Sequence, residues 1–218
     1  MLRLLLLVRS TPAKYMKSRL LVSSVGLASA LVFGLAACND PNQAITPEAV
    51  LADTLTVFAL TGTPPSFPSG YQAASGAVTR ADGNFNFDIA FDIDAARNVI
   101  VYPQKLVGVP CVIGAPNCGG ALGAKPVGLQ RITVAFDSLT RAPASNYVFD
   151  SSFVVTPGQS LVMQVQSAND CSFSFSTILY TKFIVDSVDV PRRAIHFRAV
   201  HDPNCGYRTL VAGAVPKN

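Results

Sequence analysis

The chain contains no tryptophan, only two histidines and, in 218 residues, a single glutamate, Glu48. Each scarcity narrows the functions open to it. A glycosidase of the paired-carboxylate type would have to be built from aspartates alone, and no two of them stand in an arrangement that identifies such a pair. Without indole rings the favoured stacking faces for amphipathic ligands are missing, which counts against a carbohydrate-binding module. Charged residues make up 14% of the sequence and hydrophobic ones 50%, a balance too apolar for a disordered chain. The formal charge of +4 belongs to one end: Arg3, Arg9, Lys14, Lys17 and Arg19 lie in the first 37 residues, where there is no acid, and the remainder is close to neutral. Phosphate binding needs a concentration of cations that is absent here, so nucleic acid is not expected as a partner.

Catalytic motifs are equally sparse. The nearest approach to a nucleophile elbow, residues 66–70 (SFPSG), lacks the first glycine of G-x-S-x-G. No G-x-x-x-x-G-K is present, and Gly119-Gly120 does not open a helix. His196 and His201 have opposite parity on a strand expected over 194–200, so their side chains point apart and do not share an ion; His196 reads as a surface residue and His201-Asp202-Pro203-Asn204 as a turn. Asp88, Asp92 and Asp94 fall on one face of another strand, too extended to wrap around Ca²⁺, and read as a solvated face. No catalytic residue, metal site or cofactor is therefore expected.

What is present begins at the N-terminus. Residues 20–37, LLVSSVGLASALVFGLAA, form an apolar run preceded by Lys17 and Arg19 and closed by small residues, the plan of a secretory signal peptide. Counting from Met1 makes that signal long, and Met16 is the better start. The run ends in Leu35-Ala36-Ala37-Cys38, which resembles the lipobox of bacterial lipoproteins. The resemblance implies cleavage before Cys38, acylation of its sulfur, and a membrane partner engaged through that lipid, with more than one chain giving a stable anchor. Asn39 stands where enterobacterial lipoproteins retained at the inner membrane carry Asp, so the resemblance leans to the outer membrane. Residues 1–37 are thus expected to be removed, 38–52 to form a lipid-anchored tether, with at most a turn of helix near its end, and 53–218 to fold.

Beyond Cys38 there are four cysteines, Cys111, Cys118, Cys171 and Cys205. An even set behind an export signal reads as two disulfides; a Cys₄ zinc site would need two close knuckles that the spacing does not provide. Three pairings are formally open. Gly and Pro-Asn between Cys111 and Cys118 can turn the chain back, which favours a local bridge there and a second from Cys171 to Cys205 across the open end of the last hairpin.

Period-two alternation dominates from residue 54 onward. Phe85, Phe87, Ile89, Phe91 and Ile93 alternate with polar or small residues, and strands are also expected over 54–60, 99–102, 131–136, 149–155, 161–166, 173–185, 194–200 and 208–211. Turns are expected at 81–84, 156–159 and 189–192, and a long loop or linker at 114–128. The fold class is all-β, an antiparallel β-sandwich of immunoglobulin-like or transthyretin-like kind, with an open β-barrel as the alternative. Residues 75–87, SGAVTRADGNFNF, resemble the hairpin of carboxypeptidase regulatory-like domains, with Arg80 replacing the usual acid; no function is carried across. The expected role is that of a non-catalytic, lipid-anchored envelope or surface protein that binds an envelope protein or a glycan, or is structural. The alternatives are an enzyme with a site assembled from scattered Asp, Ser, Tyr and His, or a carbohydrate-binding module.

Overall fold

Side chains that alternate along an extended chain give it one face to bury, and the chain satisfies those faces by pairing two sheets. The computed structural model describes residues 47–82, 86–108 and 125–217. One sheet has the order β1 (Leu51–Phe58), β10 (Ala194–Asp202), β9 (Ile178–Asp189), β8 (Ser160–Gln166), β6 (Val127–Arg131). The other runs β3 (Ala77–Thr79), β2 (Gly70–Gln72), β4 (Ile89–Ile93), β5 (Val99–Pro103), β7 (Phe153–Val155). Every neighbouring pair is antiparallel, and among the described residues the two sheets share no ladder, so the fold is a β-sandwich and not a closed barrel. Residues Pro47–Asn218 form one compact unit.

Between the sheets, aromatic rings from both sides interlock. Phe91 of β4 lies 5.1 Å from Phe197 of β10, and Tyr71 of β2 meets the same ring edge-on at 6.0 Å. Phe183 of β9 completes the group at 6.1 Å from Phe91. Such pairs contribute about 0.5–1.5 kcal/mol each beyond the area they bury. The outer face of the first sheet is also covered. Val162, Tyr180 and Leu210 form one apolar patch with Ala142, and Val50, Val200 and Phe136 form another, so the segment 132–148 and the C-terminal residues make a partial third layer.

The β9–β10 hairpin turns where expected. Arg193 takes the left-handed conformation (φ 51°), its N–H donates to the Val190 carbonyl, and Asp189 accepts from the Arg192 N–H at 3.1 Å. Between His196 and Phe197 the register slips by one residue, leaving Asp186 as the extra residue of a bulge. That bulge re-aims Asp186 onto the Arg198 guanidinium at 3.0 Å.

Several strand expectations are corrected. The expected strand 131–136 is replaced by β6, which ends at Arg131, and a 3₁₀ turn at Phe136–Ser138. Gly128, read as loop, lies within β6 because the 147–149 segment crosses so closely that a Cβ there would sit 2.7 Å from the Phe149 ring. Residues 208–211 make only an isolated bridge, Arg141 with Thr209. Residues 149–155 shorten to β7. The strands β2 and β3 were not expected, being three residues each; β2 lies between β3 and β4, and residues 83–85 of the expected turn at 81–84 lie outside the described residues. The body also starts earlier than residue 53: Val50 is buried and its N–H donates to the Ala214 carbonyl, and β1 begins at Leu51, with no helical turn among the described residues before it.

Candidate functional site

The expected bridge between Cys171 and Cys205 is present, with its Cα atoms 5.8 Å apart. Cys38, Cys111 and Cys118 lie outside the described residues. The bridge staples residues 167–177 to the chain beyond β10, and the loop is braced from within. The Ser167 hydroxyl donates to Asp170 at 2.6 Å, the Ser167 N–H to the Thr177 carbonyl at 2.7 Å, and the Ser174 N–H to the Cys171 carbonyl at 3.0 Å. Gly206, at φ +87°, packs so tightly on Ser176 that a Cβ would approach it to 2.7 Å.

On this braced loop stand Phe173, 90% exposed, and Phe175, fully exposed. The sequence reading placed both on the buried face of a strand over 173–185. The strand instead starts at Ile178, because the staple and its turns occupy the chain before it. Two phenyl rings exposed on one covalently closed loop are the most conspicuous apolar feature of the described surface.

A second concentration of chemistry lies inside. Asp88 is 1% exposed and Lys125 2%, and they form an ion pair. The Lys125 ammonium also donates to Asn86 Oδ1 at 2.6 Å, while the other carboxylate oxygen of Asp88 accepts the Ala73 N–H at 2.6 Å. Asp88 thus belongs to the interior, not to a solvated face. Its companions behave differently from one another: Asp92 takes hydrogen bonds from the Thr61 hydroxyl and the Arg193 guanidinium, and Asp94 closes a local turn with Asn98. The hydrogen bonds from Asn98 hold the Asp94 carboxyl below its ordinary value. The clue to the buried pair was Lys125 itself, the only charged residue between Lys105 and Arg131, a stretch with little else polar to keep it in water.

His201 is not in a turn. It is in β10, paired with Thr181 and facing inward, and neither ring nitrogen has a hydrogen-bond partner among the described residues. Burial lowers its pKa below the ordinary imidazole value, opposed by the Asp53 carboxylate. The backbone at Gly76 (φ +67°) lies directly over the ring: a Cβ there would fall 2.0 Å from Cε1. Burial likewise pushes the Tyr71 phenol up, against the nearby Thr181 hydroxyl, while the Asp88 and Asp53 charges push the same way as burial. His196 is half-buried and bonded to the Thr56 hydroxyl at 2.8 Å, away from His201. Among the described residues, no three His, Cys, Asp or Glu side chains gather as a metal site. No family model matches the chain, and neither the characterised proteins nor the solved structures include one similar to it.

Proposed function

We propose that this chain is a non-catalytic, lipid-anchored protein of the bacterial cell envelope, tethered through an acylated Cys38 and presenting Phe173 and Phe175 to a protein partner. The observation that carries the reading is the stapled loop: exposing two phenyl rings costs solubility, and fixing them in advance lowers the entropy of docking them into an apolar pocket. Phenylalanine offers no hydrogen bond, so a protein pocket suits it better than a glycan. The Cys171–Cys205 bridge agrees with export, since disulfides persist in oxidising compartments, and export agrees with Leu35-Ala36-Ala37-Cys38. Tyr71, Asp88 and His201, the groups from which a scattered catalytic site would be drawn, are each at most 1% exposed, which speaks for binding over catalysis. Asn39 favours the outer membrane.

Two measurements test the two halves. Mass spectrometry of the mature chain is expected to find an acylated Cys38 at the N-terminus; an unmodified terminus, or retained residues 20–37, overturns the anchor. A photo-crosslinking residue placed at position 173 or 175 in cells is expected to give a discrete protein adduct, while the same residue at Val215, exposed but remote in sequence from the loop, gives none. Equal labelling at all three positions overturns the docking surface.

A further inference from the structure

The trio Asn86, Asp88 and Lys125 is more than an ion pair with a neighbour. A primary amine touches a side-chain amide on one side and a carboxylate on the other, and the amine and carboxylate are almost wholly removed from water. We propose that Lys125 and Asn86 become joined by an intramolecular isopeptide bond, with Asp88 as the proton carrier. This goes beyond the envelope reading and does not depend on it.

The chemistry is balanced within the three side chains. Where water is excluded, passing a proton from the ammonium to the carboxylate removes two buried charges and leaves a free amine. Lys125 Nζ then attacks Asn86 Cγ, already polarised by the hydrogen bond to its oxygen. The new bond is Cγ–Nζ, and the bond that breaks is Cγ–Nδ2. Asp88 hands its proton to the departing nitrogen and takes the one that Nζ sheds, so ammonia leaves with Asp88 protonated, and the carboxylate is regenerated when the ammonia carries that proton away as ammonium. No oxidant, metal or cofactor is consumed. Holding the reactants in contact supplies what free lysine and asparagine lack, a persistent near-attack arrangement. Asp88 itself is the poorer acceptor, because its carboxyl would have to be attacked and lose water with no second acid to carry protons; in the Asn86 reaction all three groups have a use.

The bond would also sit where a cross-link matters. Asn86 and Asp88 lead into β4 of one sheet and Lys125 into β6 of the other, so the linkage would join the two layers of the sandwich covalently.

The test is peptide mapping of the full-length purified chain after reduction and denaturation. Trypsin cuts after Arg80 and Arg97, and after Lys105 and Arg131, but not at Lys125, which precedes Pro126. The expected result is one species in which residues 81–97 are joined to 106–131, lighter than the two separate peptides by one ammonia. The Asn86→Ala variant, which keeps the Asp88–Lys125 pair, is expected to yield the two peptides separately and to melt at a lower temperature. Separate, unmodified peptides from the wild-type chain overturn the proposal whatever the variant does, and so does a linkage at Asp88 with loss of one water.

Discussion

Lys125 and Lys182 are both nearly sealed from solvent, at 2% and 4% exposure, yet their ammonium groups are satisfied by different means. At the junction between the sheets Lys125 faces a carboxylate and an amide oxygen. On the outer face of the first sheet Lys182 donates to two backbone carbonyls, those of Phe136 and Leu139, both at 2.8 Å, and lies 4.6 Å from the centre of the Phe136 ring. Its pKa is held below the ordinary value by burial, with Asp137 opposing. The first lysine joins two elements through a formal countercharge; the second uses dipoles and a ring face to pin the 3₁₀ turn at Phe136–Ser138 onto the strand beneath it. The lesson is that a buried cation tells little about stability until its partner is named, because the cost of deleting it is set by what is left behind.

Deleting the two lysines gives the largest expected difference. Lys125→Met strands a buried carboxylate and should cost about 3–5 kcal/mol, more if the cross-link is also lost. Lys182→Met strands two carbonyls, for which about 1–3 kcal/mol is expected. Urea unfolding of both variants decides it, and equal losses would dissolve the distinction between countercharge and dipole.

The disulfide sharpens the same contrast from a third place, where neither lysine acts. With a sequence separation of 34, loop entropy assigns Cys171→Ala or Cys205→Ala a loss of up to about 4 kcal/mol. The double variant Phe173→Ser, Phe175→Ser should shift stability by less than about 0.5 kcal/mol, since its rings are already in water. Thermal melts under oxidising conditions that showed the phenylalanine variant to be as damaged as the cysteine variants would place those rings inside the fold.

How much of this could be read from the sequence follows from the range of the interactions involved. The alternation of Ile89, Phe91 and Ile93, and the turn residues around Pro191, are local signals, and they led to the sandwich and its last hairpin. The bulge at Asp186 shifts that hairpin's register by one residue, and the chain beyond Asp202 and before Ile178 leaves the ladder to bring Cys205 to Cys171. What escaped was set by distant partners. Asp88 looked solvated because strand parity says nothing of a lysine arriving from 37 residues away; Phe173 and Phe175 looked buried because alternation continues in sequence past the point where the staple breaks the strand. Gly128 looked like loop because the segment that crosses it belongs to another part of the chain. His201 looked like the start of a turn because Asp-Pro follows it, whereas pairing with both β1 and β9 carries β10 through Asp202.

Gly76 offers a more local effect on the inner face. Alanine there must adopt a positive φ and place its Cβ against the His201 ring, so Gly76→Ala should cost about 2–4 kcal/mol. The combination with His201→Ala removes the collision but not the backbone strain, and should recover part of the loss. Simple additivity of the two single losses would mean that the ring is not what fills the space above Gly76.

The smallest expected effect is a pH dependence, and it sets the two faces of one strand against each other. His201 faces inward and Asp202 outward, and burial shifts both toward the neutral form: the imidazole pKa down, with Asp53 opposing, and the carboxyl pKa up, with the hydrogen bonds from Asn204 opposing. Neutrality has opposite consequences for the two. As pH falls through about 6.5, the unfolded imidazole takes up a proton that folded His201 refuses, so the unfolded state binds more protons and stability declines. For Asp202 the folded carboxyl takes up its proton first, at a pH above the ordinary carboxylate value of about 3.9, so acidification through that window favours the folded state. Melting temperature is therefore expected to fall between pH 7.5 and 5.5 in the wild type. The fall should be shallower in His201→Leu, which gives up no hydrogen bond to a described residue. In Asp202→Asn, whose amide oxygen can still accept from Asn204, the stabilising uptake on further acidification should be lost and the decline toward pH 4 should steepen. If His201→Leu leaves the slope between pH 7.5 and 5.5 unchanged, the inner face does not exclude the proton, and the Gly76 backbone is not the seal its geometry describes.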